Sequence, residues 1–279
     1  MQKVQFKLFC LGLSWNLMAV AVGPIIVNGT VERPIAIVTV GFCNAYFYKW
    51  NLDSIYSQNY TNYRLIYTDD DSVDGTAHLV PKYIQQKGQE ARTTLIINEK
   101  RRGAMANIYN AVMSCDDNEI VLIVDADDAL AHPNVLARIN KEYANPNVWI
   151  TYGQYQEHPT GARGFCCPMP QEIIKQNAYR KYPHLPSHLR TFYAKLFKKI
   201  KLEDLMYEGE FFTMSCDSAS MLPMMEMAGD RFKFIPDILY LYNARNPLSD
   251  HRMSQELQFK LNAVIRARKP YARLESLFE

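Results

Sequence analysis

From Ile35 onward the sequence repeats one pattern four times: a short β-branched or aliphatic run, a polar break, then apolar residues at helical spacing. Ile35 to Val40 closes on Gly41, and Tyr46 to Gln58 carries Phe47, Leu52, Ile55 and Tyr56 in helical phase. Arg64 to Thr68 passes through Asp69 to Thr76 into a helix bearing Leu79, Tyr83 and Ile84. Thr93 to Ile97 passes through Lys100-Arg101-Arg102-Gly103 into Ala104 to Ser114, with Ala104, Ile108, Ala111 and Val112 in register. The fourth run, Ile120 to Val124, is apolar throughout and too short for a helix, which suits a central strand buried on both faces. Four such units predict an α/β chain with a mostly parallel, Rossmann-like central sheet, helices on both faces and right-handed crossovers.

All strands of such a sheet end on one edge, where open α/β folds bind ligands. The loops Thr39 to Cys43, Asp69 to Thr76, Lys100 to Gly103 and Asp125 to Asp128 are therefore expected to form one site. Carboxylates crowded as in Asp125, Asp127 and Asp128 repel, and a hard divalent cation relieves them. The competing reading is a solvated acidic turn, with Asp128 as a cap for the next helix. Acidic groups from two strand ends with a basic loop between them suit a nucleotide diphosphate with a bound cation. The chain has no Gly-x-x-x-x-Gly-Lys-Ser/Thr loop and no Gly-x-Gly-x-x-Gly after the first strand, which argues against a P-loop and a dinucleotide cofactor.

With 279 residues the chain can bury a full core. Its 31 Lys and Arg against 29 Asp and Glu imply no nucleic-acid-sized basic field, so no nucleic-acid partner is expected. Six cysteines without a Cys-x-x-Cys pair argue against structural zinc and a disulfide framework. At the amino terminus, Lys3 and Lys7 precede an apolar stretch from Leu8 to Val27, similar to a signal peptide or marginal anchor. Asn28-Gly29-Thr30 and Asn59-Tyr60-Thr61 are glycan acceptors only in a secretory compartment. Of these readings, membrane association is favoured over secretion.

Beyond Tyr152 the alternation stops. Tyr155 to Tyr182 is rich in Pro, Gly and Cys, and Leu189 to Ile200 reads as a basic, aromatic helix. Ser215-Cys216-Asp217 opens a Met-rich helix ending near Gly229, and Phe232 to Pro236 and Leu239 to Tyr242 read as a strand pair. Glu256 to Arg268 reads as a terminal helix with a basic face.

As an ordered set, Ile37 to Val40, Leu52 to Ile55, Asp69 to Thr76, Arg102-Gly103-Ala104 and Val124 to Asp128 resemble the family 2 glycosyltransferases of GT-A fold, over roughly residues 35 to 250. The resemblance implies transfer of a sugar, with inversion, from a nucleotide-diphosphate donor, expected to be a UDP-sugar, to a hydroxyl of a glycan, lipid or protein. It implies polysaccharide biosynthesis at a membrane, with the catalytic part on the side supplied with nucleotide sugars: the cytoplasmic face, or a secretory lumen in a eukaryote. It also implies Mn²⁺ or Mg²⁺ as cofactor. By position, Thr39 and Asp70 would meet the nucleoside, Arg102 the base or phosphates, Asp125 the ribose and Asp127 the metal. Asp217 would be the catalytic base and His251 a further metal ligand from a closing loop. The family's usual Gly is Asp71 here, and its usual Glu-Asp pair is Cys216-Asp217.

The expected division is an amino-terminal apolar segment (1–33), a nucleotide-sugar half (34–152), an acceptor and base half (153–253) and a carboxy-terminal helix (254–279). Two alternatives remain. Asp125-Ala126-Asp127 is similar to the aspartate pair of aspartyl-phosphate phosphatases, although theirs follows the first strand of the domain and this one the fourth. A catalytically silent nucleotide-sugar-binding module would also keep the acidic set, and the missing Glu beside Asp217 leaves it open.

Overall fold

The computed structural model describes residues 23–183, 186–247 and 254–278. His251, with most of the loop around it, lies outside the described residues, as does residues 1–22 of the apolar amino-terminal segment. Residues 23–33 of that segment do not continue it: β1 (Ile25–Val27) and β2 (Thr30–Glu32) pair antiparallel across Asn28-Gly29. Both turn residues have positive φ, and Asn-Gly is the strongest short hairpin signal. Among the described residues no helix is long and apolar enough to cross a membrane.

The four βα units form as their periodicity requires. They are β3 (Ile35–Gly41) with α1 (Tyr48–Tyr56), β4 (Tyr63–Asp69) with α2 (Thr76–Gln86), and β5 (Thr93–Ile97) with α3 (Ala104–Met113). The fourth strand is β6 (Ile120–Ile123), followed by β7 (Ala129–Leu130) and α4 (Val135–Glu142). The second half contributes β8 (Ile150–His158), α5 (Gln171–Gln176), β9 (Arg190–Tyr193), α6 (Ala194–Phe197) and the small hairpin β10 (Met206–Tyr207) and β11 (Glu210–Phe211). The chain then adds α7 (Cys216–Ala228), β12 (Phe232–Asn243) and α8 (Gln255–Ala267).

Eight strands form one sheet in the order β5-β4-β3-β6-β9-β8-β12-β7. The first four are mutually parallel, β9 runs antiparallel between β6 and β8, and β7 closes the far edge antiparallel to β12. Both faces are buried. Ile35 and Ile37 point to a core shared with α1, α2 and α4, whereas Ala36 and Val38 point to the core under α3, α6, α7 and α8. The acidic turn links β6, fourth in the sheet, to β7, eighth. Ile123 and Ala129 are six Cα steps apart, but the Asp128 amide donates to the Asp125 carbonyl at 3.0 Å and folds three of those steps into a turn, so the link spans under about 18 Å, whereas four strand spacings in a flat sheet amount to about 19 Å. The sheet must therefore curl, drawing its carboxyl ends together.

Two expectations are corrected. Leu189 to Ile200 is not one helix: Arg190-Thr191-Phe192-Tyr193 forms β9 before the short α6. Thr191 and Phe192 alternate between opposite faces, and pairing in mid-sheet outweighs local helical preference. Phe232 to Tyr242 is one strand rather than a pair. Pro236 is tolerated because the register with β8 shifts between Ile235 and Ile238, where no ladder donor is needed.

The second half is held by a buried ion pair. Arg180 donates through Nε and Nη2 to the Glu226 carboxylate at 2.7 and 2.9 Å, and through Nη1 to the Ile265 carbonyl. These bonds tie α7 to α8. Glu226→Gln leaves a buried guanidinium without its counter-charge and should cost about 3–5 kcal/mol. A lowered urea midpoint with an unchanged slope is the expected result; a loss below about 1 kcal/mol would show that the pair does not hold these helices together.

Candidate active site

The carboxyl edge of the sheet brings together the loops after β3, β4 and β5 with the turn after β6. Backbone amides of Cys43, Asn44 and Ala45 donate to Ser72 Oγ, Thr76 Oγ1 and Asp74 Oδ2, fastening the first loop to the second. Gly41 ends β3 so close to the acidic turn that a Cβ there would stand 2.6 Å from that of Ala126. Asp71 adopts the left-handed conformation with φ 63°, the geometry for which glycine is the usual residue. Aspartate is among the few side chains that tolerate it.

Asp70 is buried and faces the basic loop. Its Oδ1 accepts from Asn98 Nδ2 at 2.8 Å and from the Arg102 amide at 2.9 Å, and its Oδ2 accepts from the Gly103 amide at 2.8 Å. Burial pushes its carboxyl up, but the Asn107 and Asn98 amides and the backbone N–H groups of Arg102 and Gly103 outweigh this and hold it below the usual range. Asp70 is thus first the anchor of the Arg102 loop, with at most one lone-pair direction left for a base. The Arg102 side chain is exposed. Arg101, which sequence reasoning passed over, stacks its guanidinium 3.8 Å above the Phe42 ring.

Thr39 does not reach this edge. Strand β3 continues two residues beyond it, so Thr39 is fully buried in mid-strand and its hydroxyl has no hydrogen-bond partner. Phe42 and Cys43 stand where Thr39 was expected.

The three aspartates after β6 differ sharply in surroundings. Asp128 is buried, accepting from the Tyr240 hydroxyl at 2.7 Å and the Asn243 amide at 2.6 Å. Burial, and then the neighbouring charges of Asp127 and Asp125, push its carboxyl well up. It does not cap α4, which begins seven residues later; it pins the turn to β12. Asn51 on α1 donates to the carbonyls of Asp125 and Asp128, holding the turn from the other side. Asp127 is partly exposed and accepts from Asn246 Nδ2 at 2.6 Å; burial raises its carboxyl against that bond. Asp125 is also partly exposed, and its amide donates to the Tyr240 hydroxyl at 3.1 Å.

Among the described residues, the carboxylates and imidazole close enough to share an ion are Asp125, Asp128 and His188, with ligand atoms within 4.8 Å of one another. His188 stacks on Tyr240 at 4.4 Å, and burial followed by the nearby Arg190 charge drives its imidazole well down, leaving it neutral. Its Nδ1 is buried without a partner. A neutral imidazole with carboxylate oxygens is a donor set that suits a divalent first-row ion such as Mn²⁺. Asp128 keeps acceptor capacity beyond these two bonds, and the partly exposed Asp127 stands next to it, so both carboxylates can face an ion.

Asp217 sits one residue inside α7. Its Oδ1 accepts from the Ser218 amide at 2.8 Å, and its Oδ2 lies 3.5 Å from Nη1 of Arg190. At 39 % side-chain exposure it is open to a ligand. The structure therefore brings Asp70, Arg102, Asp125, Asp127 and Asp217 to one edge. Sequence reasoning missed Arg190, His188, Tyr240, Asn243 and Asn246. Tyr240 and Asn243 are separated from the acidic turn by more than a hundred residues, and only the β12–β7 pairing unites them.

A curled, mostly parallel sheet that gathers aspartates and an arginine loop at its carboxyl edge defines a GT-A fold with the site geometry of a sugar-nucleotide enzyme. The family model of glycosyl transferase family 2 matches residues 50–205, more than half of the chain, and the protein belongs to that family. Over 106 residues it is 27% identical to the Escherichia coli UDP-Glc:alpha-D-GlcNAc-diphosphoundecaprenol beta-1,3-glucosyltransferase WfgD, covering 38% of this chain and 39% of that protein. The chain thus spans about two fifths of this curated relative. Among solved structures, the mannosyltransferase PcManGT of Pyrobaculum calidifontis with GDP-Man and Mn2+ aligns with a TM-score of 0.58 at 22% identity, over 92% of this chain and 70% of its own. S. aureus TarS 1-349 with UDP-GlcNAc aligns at 0.59 and 17% identity, over 83% and 66%. At these identities the likeness establishes the fold.

Asp70→Asn should cost about 1.5–3 kcal/mol at pH 7, the range for hydrogen bonds to a charged group. Because the folded carboxyl lies below its unfolded value of about 3.9, the stability it contributes is present above that value and lost as pH falls through the folded one. The gap in urea midpoint between wild type and variant should therefore narrow below about pH 4. A constant gap would exclude the ionised carboxylate as its source.

Proposed function

We propose that this protein is a metal-dependent, inverting glycosyltransferase that moves a sugar from a UDP-sugar to a hydroxyl of a glycan or glycolipid. The observation that carries the reading is the meeting of the acidic turn with an exposed carboxylate, Asp217, across the buried Arg190. A donor diphosphate on the turn and an acceptor hydroxyl beside Asp217 would stand on opposite sides of the anomeric carbon.

Asp70 holds the Arg102 loop against the nucleoside, and the exposed Arg102 side chain can meet the diphosphate with planar, multi-donor geometry. Asp125 takes the ribose side. Asp127, with its carboxylate partly open, is the proposed protein ligand for Mn²⁺ or Mg²⁺. That ion, when bound, would neutralise charge developing on the leaving diphosphate. Asp217 takes the proton of the acceptor hydroxyl as it attacks from the face opposite the diphosphate, which inverts the anomeric centre. The UDP-glucose in the name of the E. coli relative and the UDP-GlcNAc bound by TarS support a UDP-sugar donor. The lipid-linked acceptor in the relative's name supports a glycolipid acceptor and work at a membrane surface.

Membership of the family removes the phosphatase alternative. The silent module is separated from the enzyme by turnover. Asp217→Asn should bind UDP with Mn²⁺ within a few fold of wild type by calorimetry while transfer falls about 10²–10⁴-fold; unchanged turnover removes Asp217 as the base. Asp127→Ala should weaken Mn²⁺ binding and collapse transfer, as should EDTA on the wild type. Full activity in EDTA would remove the metal from the mechanism.

A further inference from the structure

We infer that Arg190 is the positioning residue that sets Asp217 against the acidic turn, an inference that rests on the reading of Asp217 as the base. Arg190 opens β9, the antiparallel strand in mid-sheet, and pairs with Ile123, two residues before Asp125. Its neighbour on the same face, Phe192, belongs to the core beneath α7, the helix that carries Asp217. From that root the guanidinium lies between the two, only 8% exposed. Asp217 is the foremost charge that holds it protonated, followed by Asp125, with Tyr240 and Cys216 beyond. A guanidinium withdrawn from water persists where anions face it, and the anions facing this one are the base and the donor turn.

At 3.5 Å the contact with Asp217 is longer than a charge-assisted hydrogen bond of 2.7–2.9 Å. Arg190 therefore steers the carboxylate without consuming it, and Oδ2 stays available to a hydroxyl. The other oxygen is fixed by the Ser218 amide. Arg266 on α8 also feels the charge of Asp217, but its guanidinium donates to Asn262 Oδ1 and to the carbonyls of Arg180 and Tyr182. Among the described residues, Arg190 is the cation that joins the base to the turn. An acceptor proton must be met within hydrogen-bond reach, and small misplacements of catalytic groups cost large factors in rate.

The test compares wild type with Arg190→Met, Arg190→Lys, Asp217→Asn and the Arg190→Met/Asp217→Asn double variant. UDP binding with Mn²⁺ is measured by calorimetry, and kcat and KM by hydrolysis of UDP-glucose and UDP-GlcNAc. Arg190→Met should lower kcat about 100-fold with KM and UDP affinity within about threefold, because the donor contacts remain. Arg190→Lys should recover at least about tenfold of that loss. The double variant should be no slower than Asp217→Asn alone, since both changes remove one function. A crystal structure of Arg190→Met with UDP should show the Asp217 carboxylate turned away from the acidic turn. An unmoved carboxylate, losses that multiply in the double variant, or UDP affinity that falls in step with kcat would overturn the inference. If Asp217→Asn is inactive while Arg190→Met retains full kcat, this inference alone fails; if Asp217→Asn retains full turnover, the assignment of the base fails.

Discussion

Three carboxylates within four residues, at the end of a strand buried on both faces, are the constraint around which the second half of this protein is arranged. Left to themselves they would repel and draw water into the sheet edge. The fold answers with neutral donors: the Tyr240 hydroxyl and Asn243 amide on Asp128, and the Asn246 amide on Asp127. Asn51 fastens the backbone of the same turn from α1. Burial holds Asp128 and Asp127 toward their protonated forms, whereas Asp70, met by several N–H donors, is held ionised. Similar residues at one edge are thus given different work by what surrounds them.

The curled sheet follows from the same turn. Because Val124 to Asp128 hands the chain from mid-sheet to the far edge, the strand ends converge, and β12 becomes a brace lying beside the turn rather than a remote element. The antiparallel β9 enters the gap and puts a buried cation between two carboxylates from different parts of the chain. Behind them, Arg180 and Glu226 lock α7 to α8, so the helix that carries Asp217 rests on a rigid support.

The periodic first half was legible almost to the residue. Thr93 to Ile97 and Ala104 to Met113 fall where apolar spacing puts them, since helical side chains return to one face about every 3.6 residues and a short β-branched run is too brief for a helix. The errors lie where local preference met a tertiary demand. Arg190 to Tyr193 became a strand because the sheet needed a partner between β6 and β8, and Thr39 was buried because β3 runs on through Val40 and Gly41 before it reaches the edge. Asp128, read as a helix cap, instead turned inward to Tyr240, a partner over a hundred residues away.

What the sequence by itself determined is the order of the βα units and the shared edge at which Asp70, Arg102 and Asp125 to Asp128 arrive, because periodicity sets the elements and parallel pairing sets where their loops meet. Only the tertiary structure decided which aspartate is buried and which is open, that β12 braces the turn, and that Arg190 stands between Asp125 and Asp217. Ionisation and hydrogen bonding depend on neighbours brought together through space, and no local pattern of residues encodes them.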